Sequence, residues 1–182
     1  MSHMATLASA PNTQAVWDAL DVLTDPEIPV VTLREMGILR DVHVAGNAVE
    51  VVITPTYSGC PAMEQIHDDI VSTVKALGVD VRVTTQLAPA WTTDWMTPHA
   101  RDKLRAYGIA PPALCSHAAP SANGSSSIVL QFASKAVARD VVPCPRCSSH
   151  DTTETSHFGS TACKSLYKCL SCMEPFDYFK PY

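Results

Sequence analysis

Two pairs of cysteines near the end of the sequence have the spacing of metal ligands. Cys144 and Cys147 lie in "CPRC", and Cys169 and Cys172 lie in "CLSC". A gap of two residues lets one turn carry both sulfurs on the same side, so two such turns can surround one ion with four thiolates. The stretch between the pairs is one residue longer than the range typical of zinc ribbons, a difference that a loop absorbs. A segment this short buries little apolar surface, so a metal would also stabilise its fold.

The cysteines alone do not identify the metal. Thiolates suit both zinc and iron–sulfur clusters. We expect zinc in the tail and keep a transient iron–sulfur cluster as the alternative. Cys163 lies six residues before Cys169 and is left over. It is either an additional metal ligand of the tail or a thiol of the module's core. Cys115 has no cysteine close to it in sequence, and we assign it no role.

A further cysteine, Cys60, stands alone in "TPTYSGCPAMEQI", between an expected strand and an expected helix. Pro61 suits the first position of that helix, which makes Cys60 its N-cap residue. Unpaired backbone N–H groups and the positive end of the helix dipole would then lower the pKa of the thiol and favour the thiolate. The alternative is a small side chain that packs at a corner between strand and helix. Position alone does not decide between a reactive thiol and a structural one.

Two carboxylates, Asp25 and Glu27, lie in the stretch "TDPEIPV". The prolines beside them predict a rigid loop without regular strand pairing. Asp25 either stabilises the turn or borders the same pocket as Cys60 together with Glu27. The sequence does not place this loop beside Cys60, so both interpretations stay open.

The pattern of apolar residues predicts the elements that position these side chains. Apolar residues recur every three or four positions over 13–23, 61–77 and 98–108, which indicates three helices. Alternating residues predict a hairpin with its turn at Gly46-Asn47 and a further strand over 79–87. The expected fold class is α+β: a small mixed or antiparallel sheet packed with helices, then a linker and a metal-stapled, zinc-ribbon-like module.

Composition along the chain suggests four segments. Residues 1–10 begin with the tag-like "MSHM" and are expected to be disordered. Residues 11–108 form the α+β domain. Residues 109–127 are rich in proline, serine and alanine and are expected to form a flexible linker. Residues 128–182 form the cysteine-rich module.

Charge and hydropathy exclude several classes of protein. The chain has 182 residues, a net charge of −5 and a pI of about 5.7, which is unlike the basic surface of a nucleic-acid binder. No apolar stretch is long enough to span a membrane, and no signal peptide is visible, so a cytoplasmic location is expected. In such a chain, CxxC pairs favour metal or thiol chemistry over disulfides.

Three stretches resemble the SufT-type family linked to iron–sulfur cluster assembly. They are "DPEIPVVTLREMGILRDV", "VVITPTYSGCPAMEQI" and "VDVRVTTQLAPAWTTDWM". The motif "TPTYSGCPA", taken together with the cysteine-rich tail, resembles one branch of that family, the PaaD proteins of bacterial phenylacetate degradation. The likeness covers about residues 13–108 and 140–182.

The resemblance implies an accessory maturation factor for the multicomponent phenylacetyl-CoA epoxidase, rather than an enzyme with turnover. It makes Cys60 the reactive cysteine and Asp25 and Glu27 a loop signature. The implied partners are epoxidase subunits, chiefly the iron–sulfur reductase component; a homodimer is left open, and neither nucleic acid nor membrane is expected. The alternative is a zinc-stapled adaptor that assembles the oxygenase without handling metal. A thiol–disulfide enzyme is disfavoured, because the CxxC pairs do not begin a helix in a βαβ unit.

Overall fold

Three α-helices lie in the part of the chain that the computed structural model describes, residues 12–113 and 141–182. They are α1 (Thr13–Leu20), α2 (Ala62–Lys75) and α3 (Pro98–Tyr107). The Asn12 side chain caps α1 by accepting a hydrogen bond from the backbone N–H of Ala15 at 2.8 Å. Gly108 ends α3 with a φ of 100°, in the left-handed region that favours glycine. Helix α1 ends three residues earlier than predicted.

Nine strands form three sheets within the described residues. In chain order they are β1 (Thr24–Asp25), β2 (Ile28–Thr32), β3 (Leu39–Ala45), β4 (Ala48–Ile53), β5 (Asp80–Thr85), β6 (Ile109–Ala110), β7 (Thr152–Ser156), β8 (Lys164–Cys169) and β9 (Pro175–Phe179). Strands β1 and β2 pair alone, β3-β4-β5 form a mixed sheet, and β6-β9-β8-β7 form the sheet of the tail. The predicted α+β fold class is confirmed.

The mixed sheet is the frame that positions Cys60. Strands β3 and β4 form the predicted hairpin, whose turn begins at Gly46 with a φ of 61°. Strands β4 and β5 are parallel, and α2 makes the crossover between them with its buried residues against the sheet. The loop 54–61 therefore leaves the carboxyl end of a parallel strand, where side chains are free to form a site.

The segment that carries Asp25 and Glu27 is a short hairpin, so the predicted lack of strand pairing there is wrong. Asp25 lies opposite Ile28 across β1 and β2, and Glu27 lies in the turn between them. The register is irregular at Asp25, which accommodates the neighbouring proline. The turn projects both carboxylate residues from one end of this hairpin.

The tail sheet includes a strand from outside the tail. Strand β6 directly follows α3 and pairs in parallel with β9. Ile109 and Ala110, predicted as the first residues of the linker, are therefore part of a sheet. The remainder of that segment, from residue 114, and the first residues of the cysteine-rich module, 128–140, lie outside the described residues.

The tail also packs against the core of the first domain. Phe179 and Cys163 belong to the same buried apolar cluster as α1, α2 and the mixed sheet. The Trp91 ring lies 6.0 Å from that of Phe179 and 6.3 Å from that of Tyr182, measured between centroids. These contacts fix the position of Cys163 relative to the first domain. Among the described residues, no helix is long and apolar enough to cross a membrane.

Candidate functional site

The four cysteines of the CxxC pairs meet at one point of the tail. The sulfurs of Cys144, Cys147, Cys169 and Cys172 all lie within 4.8 Å of one another. The Cys144–Cys172 pair is 3.8 Å apart and the Cys147–Cys169 pair is 3.6 Å apart. A tetrahedral ion with metal–sulfur bonds of about 2.3 Å separates its sulfurs by about 3.8 Å. The arrangement therefore fits one tetrahedral ion.

Two equivalent turns produce this geometry. The backbone N–H of Cys144 donates to Ser149 O at 2.9 Å, and the N–H of Cys169 donates to Glu174 O at 3.0 Å, so each turn spans six residues. The residue after each second cysteine is left-handed: Ser148 has a φ of 61° and Met173 has a φ of 65°. Because the two turns close with the same hydrogen bond and with a left-handed residue at the same position, the two cysteines of each pair lie on the same side of their turn, as the spacing predicts.

The tail cysteines influence one another's ionisation. The backbone N–H of Cys172, 3.4 Å from the sulfur, lowers the pKa of Cys169 to about 6. The backbone N–H of Glu174 lowers the pKa of Cys172. Burial and the neighbouring thiols outweigh this effect and raise that pKa to about 12. Four thiols this close cannot all ionise without a cation between them, and a divalent ion supplies that charge.

Cys163, considered above as an additional ligand of the tail, lies in a different place. It precedes β8, is 4% exposed, and its sulfur is 3.9 Å from Oε2 of Glu27 in the first domain. It is absent from the four-sulfur group of the described residues. Of the two alternatives that the sequence left open, the structure therefore does not support Cys163 as an additional ligand of that centre. Cys115 lies outside the described residues.

Cys60 lies at the start of α2, one residue earlier than predicted relative to the helix. The cap position belongs to Pro61, and the helix begins at Ala62. The backbone carbonyl of Cys60 accepts a hydrogen bond from Met63 N at 3.3 Å, and its own N–H donates to Tyr57 O at 3.2 Å. These bonds hold the half-buried thiol where the free N–H groups of the helix begin.

The pKa of Cys60 is raised, so the predicted lowering is wrong. Burial is the largest cause; the backbone N–H of Ala62 opposes it as expected, but the negative charges of Glu27 and Asp25 add to the rise. The helix terminus acts in the predicted direction. Two carboxylates from another part of the chain and the loss of water around the thiol outweigh it.

The two carboxylates of the β1–β2 hairpin lie within electrostatic reach of Cys60. Asp25 is 7% exposed, and its Oδ1 accepts hydrogen bonds from Glu27 N at 2.7 Å and Ile28 N at 3.2 Å. Burial raises the pKa of Asp25 despite these bonds. Both residues act electrostatically on Cys60 and on Cys163, so both thiols face the same acidic hairpin.

Three further residues complete the surroundings of the two thiols. Burial and the nearby thiols raise the pKa of Tyr57 to about 12, and its hydroxyl hydrogen-bonds the Cys60 thiol. Lys164, 4% exposed, is a buried cation next to Cys163, and Tyr182 closes the same side. The sequence could indicate only Tyr57, because it precedes Cys60 by three residues. Lys164 and Tyr182 are distant in sequence and come close to the thiols only in the folded chain.

A cavity of about 400 Å³ opens beside this loop, lined by residues that include Thr56, Tyr57, Trp91 and Tyr182. Oγ1 of Thr54, at the same cavity, is buried and has no hydrogen-bond partner among the described residues. Tyr57 therefore contacts both the Cys60 thiol and this cavity.

Comparison with known proteins identifies both modules. Residues 13–85 match the family model described as "Iron-sulfur cluster assembly protein", and residues 131–180 match the "PaaD zinc beta ribbon domain". A protein of Escherichia coli (strain K12) that is named as a putative subunit of 1,2-phenylacetyl-CoA epoxidase is 46% identical over 184 residues, which cover 99% of each chain. The chain belongs to the PaaD family. Its four-cysteine tail is accordingly a zinc-ribbon module of the PaaD type.

Further similarity concerns mainly the first domain. The "Fe-S protein maturation auxiliary factor" of Porphyromonas gingivalis (strain ATCC BAA-308 / W83) is 35% identical over 90 residues, covering 47% of this chain and 83% of that protein. A solved domain of unknown function from Bacillus anthracis is 24% identical, with a TM-score of 0.48 over 50% of this chain and 90% of the other.

The raised pKa of Cys60 in this PaaD-family chain gives a testable pH dependence. Less thiolate is present at a given pH than in a free cysteine, so the midpoint of Cys60 alkylation should lie above that of free cysteine. Glu27→Gln removes a negative charge beside the thiol and should move the midpoint to lower pH. Peptide mapping after iodoacetamide pulses across pH measures both midpoints. Glu154→Gln, a glutamate of β7 in the tail, is the control; equal midpoints for Glu27→Gln and wild type would contradict the electrostatic assignment.

Proposed function

We propose that this chain is an accessory protein that helps assemble the iron–sulfur cofactor of a multicomponent phenylacetyl-CoA epoxidase. The proposal is carried by a cysteine, Cys60, at the start of α2 and within electrostatic reach of Asp25 and Glu27, in a chain whose first domain matches an iron–sulfur assembly family. The names of two relatives, one an epoxidase component and the other a maturation factor, support the same function. The protein acts stoichiometrically on a client rather than as an enzyme with turnover.

In this proposal Cys60 is a transient ligand for cargo that contains iron: an iron ion or a small iron–sulfur cluster. Its raised pKa keeps the thiol protonated while no cation is near. A cation that enters the pocket favours the thiolate and releases the proton, because a metal-bound sulfur must be deprotonated. Asp25 and Glu27 attract such a cation. The Cys60 thiol would thus stay protonated, and weakly nucleophilic, until a cation binds beside it.

The tail would hold zinc and dock the client. A tetrahedral set of four thiolates suits zinc, which lends the small module stability and no redox chemistry. Leu170 and Met173 project from the second cysteine turn and are 47% and 58% exposed. Exposed apolar side chains on a rigid turn suit contact with another protein. The iron–sulfur reductase component of the epoxidase is the proposed partner.

The function is tested by making the epoxidase subunits together with wild-type or Cys60→Ser protein in cells that lack the native copy. The iron and sulfide of the purified client subunits are then measured. We expect the serine variant to leave the reductase component short of iron and sulfide, with Cys115→Ser as the matched control. Full client iron with a normally folded Cys60→Ser protein would contradict the role of the thiol.

The second candidate is an adaptor that assembles the oxygenase without handling metal. It is favoured by one observation: the pKa of Cys60 is raised rather than lowered, as in a structural thiol. The same experiment separates the two functions. An adaptor loses client assembly when the tail is disrupted but keeps client iron when Cys60 is replaced.

The identity of the tail metal is a separate prediction. Protein purified without oxygen should contain one zinc per chain in the four-cysteine centre, and Cys60→Ser protein should contain the same amount. Elemental analysis with a sulfide assay and a visible spectrum measures this. Iron and sulfide bound by Cys144 and its three partners in place of zinc would contradict the assignment.

A further inference from the structure

The cavity of about 400 Å³ beside the loop 54–61 is large enough for a small molecule. Buried residues, among them Thr54, Thr56 and Trp91, form its floor, and the exposed side chains of Leu87 and Tyr182 stand at its rim. Ligand pockets in proteins usually have volumes of about 300–1,000 Å³, and a cavity of about 150 Å³ already holds a benzene ring. The cavity therefore has room for one aromatic ring and a short substituent.

One polar atom at the floor of the cavity lacks a partner. Thr54 is 1% exposed, and its backbone N–H donates to Ile38 O at 2.9 Å. Its side-chain Oγ1 is buried and has no hydrogen-bond partner among the described residues. A buried hydroxyl without a hydrogen bond is costly, so nearly all such groups in proteins are paired. The Thr54 hydroxyl is thus placed to bond a molecule that enters the cavity.

The polar side chains closest to Thr54 are engaged elsewhere. The indole N–H of Trp91, at the same cavity, donates to the backbone oxygen of Met36 at 3.0 Å. Gln86 lines a smaller cavity on another side of Thr54, and its amide Nε2 donates to Ala88 O at 2.6 Å. These bonds hold the two donors away from Oγ1 of Thr54. A bound molecule or a water is left to satisfy that oxygen.

The electrostatics of the cavity favour an uncharged molecule. None of the described residues that line it has a charged side chain. Burial, followed by the negative charges of the two thiols and Glu27, raises the pKa of Tyr57 to about 12, and burial also raises the pKa of Tyr182. Both phenols therefore stay neutral near pH 7. The negative charge of Glu27 that reaches Tyr57 would also repel an anion in the cavity.

The rings around the cavity favour an aromatic molecule. Tyr57, Trp91 and Tyr182 all line it. The rings of Trp91 and Tyr182 already meet edge to face, at 63° with 6.3 Å between their centroids. A ligand ring that packs beside them can form further contacts of this kind, which stabilise beyond the burial of apolar area. Leu87 adds an aliphatic wall at the rim.

We propose that this cavity binds a small, uncharged aromatic molecule whose ring packs beside Trp91 and Tyr182 and whose oxygen substituent hydrogen-bonds Oγ1 of Thr54. The inference goes beyond the proposed function and does not rest on it, because it needs neither a metal nor the thiol of Cys60. The bound molecule would nevertheless lie against the loop that positions Cys60. The backbone carbonyl of Tyr57, in that loop, accepts a hydrogen bond from the Cys60 N–H at 3.2 Å.

The test titrates benzyl alcohol into the full, zinc-bound chain labelled with nitrogen-15. The three tryptophans of the chain give separate indole N–H signals in the NMR spectrum. We expect the signal of Trp91 to shift saturably and that of Trp17, which does not line the cavity, to stay in place. Benzoate tests the charge of the ligand and cyclohexylmethanol tests its ring. Each should bind more weakly than benzyl alcohol.

Thr54→Val removes the hydroxyl and keeps the shape of the side chain. It should weaken benzyl alcohol binding about 2–10-fold, the usual worth of one hydrogen bond, and should not weaken the binding of toluene, which has no oxygen. Leu87→Ala tests the rim at an exposed position where the fold is not at risk, and it should weaken both ligands. Val22→Ala is the matched control, because Val22 is an exposed aliphatic residue outside the cavity.

Several results would overturn the proposal. If benzyl alcohol causes no saturable shift of the Trp91 signal, the cavity holds only water. Wild-type affinity for benzyl alcohol in either Thr54→Val or Leu87→Ala would show that the molecule binds elsewhere. Tighter binding of benzoate or of cyclohexylmethanol than of benzyl alcohol would reject the uncharged aromatic class.

Discussion

Replacing Cys169 with serine should remove the metal of the tail and unfold its four-stranded sheet. Cys169 is 0% exposed, ends β8, and lies 3.6 Å from the sulfur of Cys147. In small modules of this kind the apparent free energy of zinc binding, about 10–16 kcal/mol, is largely the free energy of folding. A hydroxyl is a far weaker zinc ligand than a thiolate. The loss should therefore exceed what the small apolar cluster inside the tail, which includes Val142, Phe176 and Tyr178, can offset.

The measurement combines zinc content per chain with thermal unfolding followed by circular dichroism. We expect zinc to fall well below one per chain and the unfolding temperature to drop, because the first domain also loses its contacts with the ribbon. Wild-type protein treated with a strong chelator should behave like the variant. Cys115→Ser is the matched control. A Cys169→Ser protein with full zinc and an unchanged transition would show that the four-cysteine centre is not a structural metal site.

The features of this chain that could be predicted from sequence are those whose geometry depends on residues close together in sequence. A gap of two residues places both cysteines of each CxxC pair on one turn. If the two turns share one ion, Cys144 and Cys172 must lie close together, as they do. The hairpin at Gly46 and helix α2 likewise follow from turn chemistry and periodicity. The position of Cys60 at a helix start was of the same kind, and it was correct to within one residue.

The parts that could not be predicted depend on how distant segments pack. Nothing near Cys163 in sequence indicates that its sulfur lies 3.9 Å from Glu27, because strands β8 and β9 bring it there. The direction of the Cys60 pKa was wrong for the same reason. A helix terminus is a local feature that sequence reveals, whereas burial and the charges of Asp25 and Glu27 are properties of the assembled pocket.

The assembled pocket also changes the interpretation of the tail. A ribbon joined only by a flexible linker would act on a client independently of the first domain. Instead β6 and Phe179 join the ribbon to the first domain through a sheet and a shared core. The junction between the modules is thus a structural element in its own right, and Phe179 is the residue on which it can be tested.

Replacing Phe179 with alanine should destabilise the protein by about 3–5 kcal/mol, the usual cost of removing a fully buried aromatic ring. Phe179 is 1% exposed, and its ring lies 6.0 Å from that of Trp91. It also lies opposite Lys164, the neighbour of Cys163, across β9 and β8. The truncated side chain would leave a cavity between the modules. We therefore expect the ribbon to separate from the first domain before either module unfolds.

Urea unfolding followed by circular dichroism measures the stability, and alkylation of Cys163 under native conditions reports separation of the modules. Phe158→Ala is the matched control: this ring is 64% exposed and stacks on Lys180, so its loss should cost less than about 1 kcal/mol. In the Phe179→Ala protein, Cys163 should become open to alkylation while zinc stays bound by the four-cysteine centre. A protein with wild-type stability and a protected Cys163 would mean that the contacts of β6, rather than the shared core, hold the ribbon in place.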